Sequence, residues 1–177
     1  MKTFVKLGIA VVVSAGLLVG CAPSDVQTGG SNDVAAKNDQ TADKKKEDGS
    51  KKFNADVSAE GLGMKVNIAE VKVSPTKIEV GINFQNNNQH AMSWYPDQEA
   101  KIVVGDMQLD SNMFMSSGKL GGDIEGGVKK DGVLVFPVAD GKKLDVAKVT
   151  SLKLKVGKLH SPDFMQKQEI AFDIPVK

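Results

Sequence analysis

Ile78, Val80, Ile82 and Phe84 alternate without a break with Glu79, Gly81 and Asn83. A period of two puts every second side chain on one face of an extended chain, so this stretch fits a half-buried β-strand and no helix. The pattern recurs. Met64, Val66 and Ile68 alternate with Lys65 and Asn67, and Val71 and Val73 bracket Lys72. Leu152, Leu154 and Val156 alternate with Lys153 and Lys155, and Ile170, Phe172 and Ile174 with Ala171 and Asp173. Ile102 to Val104 and Val133 to Phe136 are short continuous apolar runs that fit more fully buried strands. Ser74-Pro75, Gly105-Asp106, Asp131-Gly132, Asp140-Gly141 and Ser161-Pro162 punctuate the series as turns. No amphipathic helix is evident beyond a short turn near Asp145 to Lys148. Seven to nine short strands over Phe53 to Lys177 therefore predict one all-β domain, an antiparallel immunoglobulin-like β-sandwich.

What precedes the domain has a different chemistry. Lys2 and Lys6 open a segment without acids, and Leu7 to Val19 is apolar apart from Gly and Ser. Thirteen helical residues reach about 20 Å, short of the roughly 30 Å hydrocarbon core, so residues 1–20 fit an export signal better than a span. The chain's one cysteine follows at once, in Leu18-Val19-Gly20-Cys21. A single cysteine makes no internal disulfide and no structural zinc site. This run resembles the bacterial lipobox. The resemblance implies that the Cys21 thiol is alkylated by a diacylglycerol group, that the signal is cut between Gly20 and Cys21, and that Cys21 becomes the lipidated N-terminus. Two acyl chains, at about 0.8 kcal/mol per buried CH₂, hold a protein to a bilayer where one does so only marginally. The expected location is the extracytoplasmic face of the cell membrane.

Ala22 to Lys52 holds no aromatic residue and no Leu, Ile or Met. Such a stretch has little apolar surface to set against its ordering entropy, so residues 21–52 read as the lipidated cysteine and a disordered polar tether. A tether of this length has a root-mean-square span of roughly 30 Å. Lys44-Lys45-Lys46 sits inside it, flanked by Asp43, Glu47 and Asp48, and reads as solvated linker rather than a lipid patch. A fragment starting at Phe53 is expected to fold alone.

Composition narrows the partners. All 23 basic residues are lysine, and removing Lys2 and Lys6 leaves 21 against 22 acidic residues, a net charge of −1. Without arginine, bidentate clamping of phosphate is lost, and no polyanionic partner such as nucleic acid is expected.

Lys77 to Asn87, an aromatic-proline turn, and a Gly-Gly loop running into Asp131-Gly132-Val133-Leu134-Val135-Phe136-Pro137-Val138 are together similar to the telokin-like, immunoglobulin-fold domains of bacterial surface lipoproteins labelled DUF4352 and their relatives. That resemblance implies a fold and a location at the cell surface, without an assigned chemistry.

Candidate chemistry is sparse. Beyond the signal there are two histidines, His90 and His160, and no Gly-x-Ser-x-Gly or His-Glu-x-x-His motif. Nothing in the spacing joins Ser116 or Ser117 to either histidine, so no catalytic residue, no enzyme activity and no cofactor are expected. Gly61-Leu62-Gly63 reads as a turn. Asp123, Glu125 and Asp131 do not follow the order of a calcium loop, and Gly118 to Gly132 reads as a flexible loop crossing the sandwich. His90 with Met92, and Met113 with Met115, project in pairs to one face if extended. Imidazole with thioether suits Cu(I), which makes an envelope copper carrier the alternative reading, although methionine also fills irregular cores.

The last candidate is the polar turn Asn86 to Pro96, which carries Trp94 and Tyr95, the only Trp and the only Tyr. Aromatics flanked by Asn and Ser form binding loops on sandwich scaffolds, so both are candidate partner contacts. The plainer reading makes Trp94 a core residue with Tyr95 covering a sandwich end. The expected whole is a lipid-anchored envelope protein whose immunoglobulin-like domain binds an unidentified envelope protein or ligand.

Overall fold

The computed structural model describes residues 24–30 and 49–176; the signal, Cys21 and Lys44-Lys45-Lys46 lie outside the described residues. In chain order the elements are β1 (Lys51–Gly61), β2 (Met64–Val73), β3 (Lys77–Asn86), β4 (Met92–Trp94), a one-turn helix α1 (Pro96–Glu99), β5 (Lys101–Val104), β6 (Met107–Asp110), β7 (Gly122–Ile124), β8 (Lys129–Pro137), β9 (Ser151–His160) and β10 (Lys167–Pro175). A 3₁₀ turn at Val146–Lys148 meets the short turn expected there. Among the described residues no helix is long and apolar enough to cross a membrane.

The strands form two antiparallel sheets, an all-β sandwich as the alternation predicts. One sheet runs β1-β2-β3-β8. In the other, β9 pairs along one edge with β10 and along the opposite edge with β5 and then β4, which carry β6 and β7 outside them. The alternating residues fill the space between the sheets. Met64, Val66, Ile68, Val80, Ile82 and Phe84 from the first sheet meet Ile102, Leu152, Leu154, Val156 and Phe172 from the second in one core.

Two expectations need correction. Ile102 to Val104 is not buried on both faces: Ile102 and Val104 face the core while Val103 is exposed, because this short strand lies in a sheet with one wet face. The Gly118 to Gly132 stretch is more than a crossing loop, since β7 and the start of β8 lie within it.

The larger correction concerns the tether. β1 begins at Lys51, and Ser24–Gly30 lies against the outer face of the first sheet. Val26 packs on Val133 and Val135, the outward residues of β8. That contact explains why Val133 to Phe136 is buried throughout, with Leu134 and Phe136 turned to the core. Burying a side chain of this size contributes about 1.5–3 kcal/mol. Ordering seven residues costs about 1–2 kcal/mol each, so polar bonds must carry the rest. They are present. The Gln27 amide donates to the buried Glu70 carboxylate at 2.7 Å, Thr28 Oγ1 donates to Asp131 at 2.9 Å, and Asn83 Nδ2 donates to the Thr28 carbonyl at 2.6 Å. Lys52 donates to the Asp25 carbonyl, and Lys72 pairs with its carboxylate at 3.0 Å.

Gly81 makes room for this segment. A Cβ there would lie 2.0 Å from the Gln27 carbonyl oxygen, so only glycine lets the two backbones approach. The β2 ladder also slips opposite Gly81, between Ile68 and Val71. Bulge and glycine together form a shallow track across the sheet.

The Lys72 ammonium, hydrogen-bonded to the Asp25 carboxylate, holds its pKa below the ordinary value of 3.8. A carboxyl lowered in the docked state stabilises docking above that value and stops doing so as pH falls through the lowered one. Docking is therefore expected to weaken as pH drops below about 4. Methyl Overhauser contacts between Val26 and Val135 should fade there before the strands lose theirs; contacts that persist until the strands unfold would contradict this.

The free edge of β8 is closed by the turn Asn112–Ser117. Asn112 and Ser117 amides donate to the Val135 and Val133 carbonyls, while the Val135 and Val133 amides donate to Ser116 Oγ and Ser117 Oγ.

Candidate functional site

One end of the sandwich collects the β1–β2 turn, the 87–91 loop, the 125–128 loop and the β9–β10 turn. Asn86 ties them together. Its side chain is fully buried, its Nδ2 donates to the His90 and Ile124 carbonyls at 2.9 and 2.8 Å, and its Oδ1 accepts from the Asn88 amide and Nδ2. Asn88 Nδ2 in turn donates to the Leu62 carbonyl, and the Leu62 amide donates to Gln168 at the foot of β10.

On this base stands the hairpin turn Ser161–Gln166. The Ser161 amide donates to the Gln166 carbonyl, and the Gln166 amide returns a bond to Ser161 Oγ, each at 3.0 Å. Asp163 accepts from the Ser161 hydroxyl and from the Met165 amide. These bonds, the hydroxyl first, hold the Asp163 carboxyl below its ordinary pKa. So braced, the turn presents Phe164 64% exposed and Met165 81% exposed. Phe164 has φ of 58°, a left-handed conformation that bulky side chains rarely adopt and that costs about 1–2 kcal/mol. Its ring lies 5.6 Å from that of His160. His90 is exposed and lines a shallow pocket with Ser161, Pro162, Asp163 and Gln166. Both histidines beyond the signal thus stand at this end, beside two exposed apolar side chains.

The sequence-derived candidates fare differently. Trp94 is 0% exposed and packs edge to face on Phe84 at 4.9 Å, so it belongs to the core and offers no contact surface. Tyr95 is 38% exposed, and its carbonyl accepts the Gln98 and Glu99 amides at the start of α1. The copper candidates are divided. Met92 is sealed in the core, His90 belongs to the hairpin end, and Met113 and Met115 flank the 91% exposed Phe114 in the turn that closes β8. Ser116 and Ser117 spend their hydroxyls on that same edge, away from a triad role. Asp123 bonds to Ser93 and Asp131 to Thr28, and no group of three or more His, Cys, Asp or Glu side chains suited to a metal ion occurs among the described residues.

Sequence reasoning missed Phe164 and Met165. The signal was present in Ser161-Pro162-Asp163-Phe164-Met165, where two apolar residues sit in a turn, outside any alternation that would bury them.

No protein-family model matches the chain, and no curated protein matches it. Among solved structures it is similar to a functionally unknown protein from Listeria monocytogenes EGD-e, with 9% identity and a TM-score of 0.51 over 72% of this chain and 88% of that one. A conserved hypothetical protein from Bacillus anthracis matches at 10% identity and a TM-score of 0.47, over 72% of this chain and 97% of that one. A conserved domain protein from Bacillus anthracis matches at 18% identity and a TM-score of 0.43, over 72% of this chain and 48% of that one. The likeness to the Listeria protein shows the fold alone.

Proposed function

We propose that the chain is a lipid-anchored protein of the bacterial envelope, of the DUF4352-like kind, whose immunoglobulin-like domain binds a partner through its β9–β10 turn. The observation that carries the binding role is the exposure of Phe164 and Met165 on a turn fixed by Ser161, Asp163 and Gln166. Apolar side chains held out in water on a braced turn and rimmed by polar groups are what interaction surfaces use. The strained φ of Phe164 supports the same reading, because glycine would fit that backbone better. The anchor rests on the Leu18-to-Cys21 motif behind an apolar run. Binding is favoured over catalysis because the serines named above use their hydroxyls in holding backbone turns. The copper alternative loses support from the burial of Met92 and the separate placement of Met113 and Met115.

Metabolic labelling with an acyl-chain analogue tests the anchor. Label is expected on the wild type and lost in Cys21→Ala, and label retained in that variant would overturn the lipidation. For the domain, a photo-crosslinking residue at Met165 in intact cells is expected to give a discrete adduct. Phe164→Gly, which suits the left-handed backbone, should remove that adduct while circular dichroism stays unchanged. An adduct of undiminished yield in Phe164→Gly would move the binding surface elsewhere.

A further inference from the structure

Ser24–Gly30 starts three residues after Cys21, and its course across the sheet has a fixed direction. Asp25 pairs with Lys72, Gln27 passes over Gly81, and Thr28 reaches Asn83 and Asp131. The segment therefore enters from the Ser74–Lys77 end of the sandwich and runs toward the end that carries the β9–β10 turn. Three residues span at most about 11 Å. Whatever is attached to Cys21 is held that close to the Ser74–Lys77 end while the segment is docked.

We infer that Ser24–Gly30 is a clip that seats the domain on the lipid surface with its Ser74–Lys77 end down and its His90–Met165 end outward. This rests on the lipidation of Cys21 proposed above, and it replaces a domain swinging on a long tether by one with a set orientation. Residues 31–48 follow the clip in the chain and add nothing to the distance between Cys21 and the domain. The lower end has a suitable surface. Lys51, Lys142 and Lys143 are exposed there and form no salt bridge among the described residues, against Asp140 and Asp106, the exposed acids of the adjoining turns that form none. Lysines near an anionic leaflet each contribute about 1 kcal/mol, so the lipid headgroups themselves are the partner of this end. The ten residues of β3 separate the two ends by about 30 Å, which makes orientation measurable.

The experiment uses the processed, lipidated protein in vesicles of phosphatidylethanolamine and phosphatidylglycerol with a quencher on the headgroups. A fluorophore is placed on a cysteine introduced at Lys143 or at Met165. Quenching at 143 is expected to exceed that at 165 several-fold. In Gly81→Val, where a side chain meets the Gln27 carbonyl, the difference should collapse. The pair Val26→Asp with Gln27→Pro, which leaves the sheet itself intact, should do the same. Flotation with the vesicles separates the two readings. Protein that fails to float overturns the anchor and the orientation with it. Protein that floats with equal quenching at both positions overturns the orientation alone. Cysteines at Val26 and Val135 joined by a short bifunctional reagent should link within one chain; linked dimers would make the clip an exchange between copies and overturn the proposal.

Discussion

Trp94→Ala is expected to lower the unfolding free energy by about 3–5 kcal/mol, the range for removing a large aromatic side chain from a packed core. Trp94 sits on a three-residue strand, is wholly enclosed, and meets Phe84 of the opposite sheet edge to face. Its loss would empty the junction between the sheets at the end that carries the candidate site. A second variant separates packing from polarity. Trp94 Nε1 is buried without a hydrogen-bond partner among the described residues. Leaving such a group unpaired costs about 1–3 kcal/mol, which Trp94→Phe would recover while keeping most of the ring volume. Urea unfolding should therefore place Trp94→Phe much nearer the wild type than Trp94→Ala. Equal losses in the two variants would mean that the indole nitrogen is satisfied in solution.

Asn86→Ala is the second large effect, at about 3 kcal/mol. The side chain donates to two carbonyls, that of His90 in the 87–91 loop and that of Ile124 at the end of β7, and accepts twice from Asn88. Alanine would strand the His90 and Ile124 carbonyls, each stranded acceptor costing about 1–3 kcal/mol. The isosteric Asn86→Asp should fare no better, since an ionised carboxylate has no proton to give either carbonyl. Hydrogen exchange would show the damage spreading first through residues 87–91 and 125–128. If Asn86→Asp proved as stable as the wild type, the two donated bonds would carry none of the stability assigned to them.

Much of the fold is legible in the alternation. β2, β3, β9 and β10 each bury every second side chain against the other sheet over most of their length, so their period survives in the sequence. β1 is harder to see. It is an edge strand with Phe53 and Gly61 its buried positions and a register slip between Asn54 and Val57, so its alternation is faint. The three- and four-residue strands β4, β6 and β7 are too short to show a period. Reading Ser24–Gly30 as tether failed for a different reason. Composition measures what a segment can bury on itself, whereas this one is held by Glu70, Asn83 and Asp131, 43 to 103 residues away along the chain. A trace of it remained in the unbroken apolar run Val133 to Phe136, which requires a cover on both faces. The candidate site was legible to a similar degree. Trp94 is marked by rarity, but rarity does not distinguish core from surface. Phe164 and Met165 are marked by falling in a turn.

The closing of β8 by Asn112–Ser117 bears on how such a protein behaves in a crowd. An uncovered sheet edge is a template on which a neighbour's strand can add, and such additions propagate. Anchored molecules share a thin layer rather than a volume, and confinement of that kind raises effective concentration far above that of a free solute. Two serine hydroxyls and two turn amides occupy the hydrogen-bonding groups of Val133 and Val135 that a second copy would need. Were the chain anchored as proposed above, its β8 edge would stay closed to strand exchange with a neighbour however densely the copies were packed.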